Sequence, residues 1–156
     1  MMSGIAEADA WLRTFYTAMV PVLELRGAIP LGVASGLGIR EACIAAVLGN
    51  LVPVPFILLL IRRIFRWLRQ FPRLGLVIDR LEHRAHLKGR KVKRYRILGL
   101  ILLVAIPLPG TGAWTGALVA AVLDIRFQTA MPAIAVGVAI AGGIVTMLTY
   151  GVTALL

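Results

Sequence analysis

Glu24-Leu25-Arg26-Gly27-Ala28-Ile29-Pro30 decides how this chain folds, because Glu24 and Arg26 are the only charged residues between Thr14 and Ile39. A charged side chain at bilayer depth costs about 2.5–3.5 kcal/mol on insertion scales. Two of them beside Gly27 and Pro30 read as a polar site at the bend of a membrane-embedded hairpin, not as part of a plain anchor. The arms fit that reading. Residues 14–23 offer ten charge-free positions and 27–39 thirteen, each short of the roughly 20 that a spanning helix needs. The alternative is one spanning helix over 12–37 with the two charges near its middle. Pro30 would remove a backbone hydrogen bond from such a helix, so the hairpin is preferred.

The rest of the composition supports a membrane frame. The chain has 156 residues, 60% of them apolar and 15% charged, whereas soluble domains carry about 25% charge. Charge-free runs cover 42–61 (20 residues), 97–123 (27) and 127–156 (30). This predicts a small polytopic membrane protein forming one domain over 1–156, with repeat 1 at about 10–61, a linker at 62–96 and repeat 2 at about 97–156. The net charge of +10 would point to nucleic acid in a soluble protein. Here thirteen of the seventeen Lys/Arg lie within 62–96, opposed only by Asp79 and Glu82. That is the positive-inside pattern, so 62–96 is expected on the cytoplasmic side of a bacterial-type inner membrane, facing anionic lipid head groups, with no nucleic acid partner. No cleavable leader is expected, since the first ten residues carry Glu7 and Asp9 instead of a basic start. Cys43 is the only cysteine, which excludes an intramolecular disulfide.

Residues 1–9 are expected to fray. The 42–61 span carries Gly49, Asn50, Pro53 and Pro55, and the prolines predict a kink. It runs into Arg62-Arg63-Ile64-Phe65-Arg66-Trp67-Leu68-Arg69, where apolar positions recur at helical spacing opposite arginines. That is a basic amphipathic surface helix, followed by a second amphipathic turn (Leu74, Val77, Ile78, Leu81) and the run Lys88 to Arg96. In 97–123 a long apolar arm meets a broken apex, Ile106-Pro107-Leu108-Pro109-Gly110-Thr111-Gly112-Ala113-Trp114-Thr115-Gly116, then a small-residue arm. The last span, 127–156, carries Gly137, Gly142, Gly143 and Gly151, which permit close helix packing and a homodimer.

The two halves match. Residues 20–28 align with 106–113 with one gap, and Ile39-Arg40 aligns with Ile125-Arg126, an interval of about 85 residues. Each half is a hairpin followed by a spanning helix. If 97–123 is re-entrant from the cytoplasm the halves form an inverted repeat, as in many transporters; if it spans, they do not.

The motifs Glu24 to Pro30, Gly49-Asn50 and Ile106 to Gly116 closely resemble the bacterial and archaeal small multi-drug export protein family over nearly the whole chain, and this family is distantly similar to the DedA superfamily. The resemblance implies two re-entrant hairpins facing each other across the membrane, proton-dependent transport, and flipping of polyprenyl-phosphate carrier lipids. DedA proteins carry essential acidic residues in the first hairpin, for which Glu24 is the counterpart. They also carry arginines around the second apex. This chain has Thr111, Trp114 and Thr115 there and no arginine before Arg126, so Arg26 would supply the positive charge from the other hairpin.

Opposed apices would present helix N-termini suited to an anion. Arg26 adds a phosphate-matching fork, Thr111 and Thr115 add hydroxyls, and Trp114 adds an apolar wall with one N–H. Glu24 in an apolar site suits proton coupling, because protonation removes the charge that opposes an anion. The bland alternative is a neutralising Glu24–Arg26 pair that holds the hairpin shut. Asn50 either caps a hairpin arm or lines the site. Gly27, Pro30, Pro107, Pro109, Gly110 and Gly112 shape the hairpins. His83 and His86 stand three apart without a third ligand, so no metal site is expected. No nucleophile–base pair, P-loop or acidic dyad occurs, so neither enzyme activity nor a cofactor is expected. The expected fold class is therefore an all-α integral membrane protein, an inverted repeat of re-entrant hairpin plus transmembrane helix, DedA-like. Its expected function is transport of an amphipathic anion such as a lipid-linked phosphate. The alternatives are export of small cationic drugs and a non-transporting adaptor.

Overall fold

A computed structural model describes residues 2–68, 90–108 and 111–155. The described residues are helical and contain no strand. In order they form α1 (Met2–Met19), α2 (Glu24–Ala34), α3 (Ile39–Leu51), α4 (Pro53–Leu68), α5 (Arg90–Ala105), α6 (Ala113–Val122) and α7 (Phe127–Leu155).

The breaks follow from local chemistry. α1 begins at Met2, so residues 2–9 do not fray as expected. They contain no proline, the Asp9 and Arg13 side chains pair one turn apart at 2.8 Å, and Ala10 and Trp11 pack with Leu37 and Ala42. The chain turns over residues 20–23. The Val20 N–H closes α1 on the Thr17 carbonyl at 3.2 Å, and Pro21 brings no N–H to continue it. Thus 14–39 is a helical hairpin and not one long helix. Its bend lies just ahead of the Glu24 stretch, however, and Pro30 sits inside α2. A proline at that depth deprives only the Arg26 carbonyl of its helical partner, and the exposed Pro30 ring clears the core.

Both second arms end alike. Gly36 has φ +92° and Asp124 φ +50°. The Leu37 N–H donates to the Gly32 carbonyl (3.1 Å) and the Ile125 N–H to the Ala120 carbonyl (2.9 Å), the six-to-one bond of a Schellman close. Leu37 therefore corresponds to Ile125 and Ile39 to Phe127. The interval there is 88, not about 85, because residues 106–112 make a longer apex than 20–23. Helices α3 and α4 are one helix bent at Val52, where Pro53 and Pro55 interrupt the bonding. α4 continues to Leu68 as expected, with Ile64 and Trp67 exposed. The second amphipathic turn, the histidine pair and Lys88-Gly89 lie outside the described residues.

α1 lies along α3 and α5 along α7, while the second arms reach across the halves, α2 to α7 and α6 to α4. More than half of the buried apolar residues are alanine, whereas Phe56, Leu59, Leu60, Leu102, Ile140 and Leu148 face outward. Water would drive the reverse distribution; lipid does not, and small residues let helices close on one another. By length and composition, 39–61 and 127–152 are long and apolar enough to cross a membrane. Of the four glycines expected to serve packing on α7, Gly137 meets Val104 of α5 and Gly142 meets Val47 of α3, but Gly143 and Gly151 face open space.

Candidate functional site at the two apices

Glu24 opens α2 with φ +43°, a left-handed conformation that costs a non-glycine residue about 1–3 kcal/mol. This conformation turns its side chain inward, and the residue is 7% exposed. The carboxylate accepts the backbone N–H of Trp114 through Oε1 at 3.5 Å. It packs directly on Gly112, where a Cβ would overlap it. The first turn of α6 thus receives its anion from within the protein, on the end of the helix that favours negative charge. That helix end, expected from the sequence to face a substrate, is occupied by Glu24.

Arg26, two residues on in the first turn of α2, goes to the other side of the same apex. Its Nη2 donates to the Thr111 carbonyl and lies 3.3 Å from Thr111 Oγ1. The Thr111 hydroxyl accepts the Leu108 N–H (3.1 Å) and lies 2.7 Å from the Ile106 carbonyl and 2.9 Å from that of Leu108. It therefore ties the proline loop together and presents it to Arg26. Among the described residues Glu24 and Arg26 form no ion pair with each other. Each is bound to the opposite apex, so the neutralising pair is not what closes the hairpin.

Trp114 is not a free wall. Its indole N–H donates to the Met19 carbonyl at 3.1 Å, capping the end of α1. Trp114→Phe, which deletes that bond and leaves a smaller aromatic ring, is expected to cost about 1–3 kcal/mol of stability, read as a melting point lower by a few degrees. An unchanged melting curve would mean that the bond contributes nothing. Thr115 is half-buried in α6 and does not line the Glu24–Arg26 cavity. Asn50 lines it, and Gly27 fits against the Leu23 side chain. Pro109 and Gly110 lie outside the described residues.

Two cavities meet at Arg26. One, of about 10 Å³, is enclosed by Glu24, Arg26, Asn50, Thr111, Gly112 and the α7 residues Val138, Ala141 and Val145. The other, of about 590 Å³, is a groove between α2 and α7 lined by Pro30, Val33, Ala34, Leu148 and Val152, with Arg26, Pro107 and Val145 common to both. Sequence reasoning missed the groove, since its walls are ordinary apolar residues. No group of three or more metal-ligating side chains occurs among the described residues.

A family model described as "Putative small multi-drug export protein" matches residues 24–144, more than three quarters of the chain, and begins at Glu24. The chain belongs to that family. The family's description, with the apolar helices, makes it a membrane protein of the transporter kind. Neither a curated protein nor a solved structure matches it.

Proposed function

We propose that this family member is a proton-coupled transporter of amphipathic anions, with a lipid-linked phosphate as the substrate class its site suits best. In this reading the two hairpins are re-entrant, form an inverted, DedA-like repeat, and sit in the cytoplasmic membrane with 62–96 inside. A cysteine at position 154 that is labelled only from the cytoplasm would sink the inverted arrangement.

The observation that carries the proposal is the place of Arg26, whose guanidinium stands where an apolar groove of about 590 Å³ meets the polar apex cavity. A tail fits the groove and an anionic head fits the guanidinium fork and the loop hydroxyl. Glu24 then acts as the resident anion. Ionised, it occupies the N-terminus of α6. A proton arriving on its carboxylate neutralises it and weakens its hold on the Trp114 N–H, leaving that helix end and Arg26 to the substrate head. Return of the proton to water restores Glu24 and expels the head. Proton and anion thus favour the same state of the apices, which is linkage between two ligands.

The second reading, export of small cations, draws on the buried Glu24 carboxylate and the family's description. Thermal shift of the purified protein in detergent separates the two. The probes are a short alkyl sulfonate, whose charge does not titrate, and tetraphenylphosphonium. The sulfonate is expected to stabilise saturably, more at about pH 6 than at about pH 8. Arg26→Ala is expected to weaken it about 10–100-fold, and Glu24→Gln to remove the pH dependence. Stabilisation by the phosphonium alone, stronger at the higher pH, would establish the cation reading instead. No response to either would leave an adaptor.

A further inference from the structure

Asn50 holds a buried polar atom that anion binding does not use. The residue is 1% exposed on the last turn of α3, and its Oδ1 has no hydrogen-bond partner in the protein. It lines the same cavity of about 10 Å³ as Glu24, Arg26 and Thr111. Its aim is built in. A Cβ on Gly49 would overlap the Phe15 carbonyl, so glycine there lets α3 lie directly on α1 and carries the next residue inward. Buried amide oxygens are rarely left without a donor.

A cavity of that volume admits one water-sized species. Charge decides which. The lining carries one carboxylate, Glu24, and one guanidinium, Arg26. Thr111, Gly112 and Ala113 face them from the second apex, Asn50 from α3, and Val138, Ala141 and Val145 from α7, none of which titrates. A metal cation or an ammonium ion would stand beside Arg26 with no second carboxylate to offset it. A water meets every group: it donates one hydrogen to Asn50 Oδ1 and one to Glu24, and accepts from the Arg26 guanidinium.

We propose that Asn50 and Glu24 hold a single water between them and that this water delivers the transported proton to Glu24. As the arriving proton forms a new O–H bond on the water oxygen, the water's O–H bond that points at Glu24 breaks in the same step. Its proton forms an O–H bond on a Glu24 carboxylate oxygen, so neutral water remains on Asn50 and no hydronium stands beside Arg26. Asn50 is a positioning residue in this step. The delivery step rests on the proton-coupled reading above; the water site does not.

Infrared difference spectra of the purified protein across a titration from about pH 4 to pH 9, in ordinary and oxygen-18 water, test this. The wild type is expected to show a protonated-carboxyl band that Glu24→Gln removes, together with a water O–H band that shifts with oxygen-18 and titrates with it. Asn50→Leu is expected to lose the water band and to change the proton affinity read from the carboxyl band about tenfold. Asn50→Ser, which puts a hydroxyl acceptor in place of the amide oxygen, retains both bands. The proposal is overturned if the wild type has no isotope-sensitive band titrating with Glu24, or if that band persists in Asn50→Leu. It is also overturned if the midpoint moves with sodium concentration at constant ionic strength, which would assign the site to a metal cation. Should Asn50→Leu not fold, the isotope measurement on the wild type decides alone. If the bands behave as expected while Glu24→Gln keeps pH-dependent stabilisation by the sulfonate, the water site stands and proton delivery for coupling falls.

Discussion

Gly112→Ala is expected to lower the melting temperature in detergent by roughly 4–24 °C and to abolish the response to an alkyl sulfonate. The added methyl would occupy the volume of the Glu24 carboxylate, and alanine would have to adopt φ +156°, a region left almost wholly to glycine. Overpacking costs about 1–3 kcal/mol and the backbone strain a similar amount. At roughly 2–4 °C per kcal/mol for a chain of this size, the two together give that range. The double variant Gly112→Ala/Glu24→Ala separates the terms. Removing the carboxylate makes room for the methyl but leaves the backbone strain, so about half of the lost stability should return. A single variant that melts within about 2 °C of the wild type would show that the apices are not packed as described.

Gly49→Ala is expected to destabilise by a comparable amount for a different reason. Its methyl would meet the Phe15 carbonyl oxygen and come within 3.1 Å of the Ala18 Cβ. The first obstacle is backbone inside α1, which cannot rotate away, so α3 must back off from the helix it packs on. We expect a loss of about 3 kcal/mol, and a larger loss for Gly49→Val. The control is Gly99→Ala on α5, where nothing lies within 4 Å of the new methyl. There the helix-interior advantage of alanine should stabilise by about 0.5–1 kcal/mol. Equal melting temperatures for the two variants would remove close α1–α3 packing as the reason for Gly49.

Both glycines lie in motifs that were legible in the sequence, yet they do different work. Gly112 belongs to a run of helix breakers and is needed as one. Gly49 sits in the middle of an apolar span beside Asn50, and nothing there shows which helix it meets, because a close approach leaves no mark on the chain that makes it. Pro30 misled in the opposite direction. Beside two charges it looks like the bend, but Pro21 already ends α1, and a single missing N–H within α2 is tolerated where the ring faces outward. Residues 2–9 read as a frayed tail because their polarity is visible and their anchor is not: Ala10 and Trp11 are held by Leu37 at the far end of the hairpin and by Ala42 of α3.

The sequence by itself determined the helices, the two broken apices, the bent span at Pro53, the repeat of hairpin and long helix, and the isolation of Glu24 and Arg26 in apolar surroundings. These depend on hydrophobic periodicity, on missing backbone donors and on the cost of charge in lipid, all of which act within a few residues of the chain. Only the tertiary structure decided whom the polar groups meet. Glu24 takes the Trp114 N–H and Arg26 takes Thr111, partners 90 and 85 residues away, and Asn50 is turned into the cavity they share. A hydrogen bond forms or fails over a few tenths of an ångström. That precision is set by how closely α3 approaches α1 and how closely Gly112 approaches Glu24, distances that no local pattern of residues encodes.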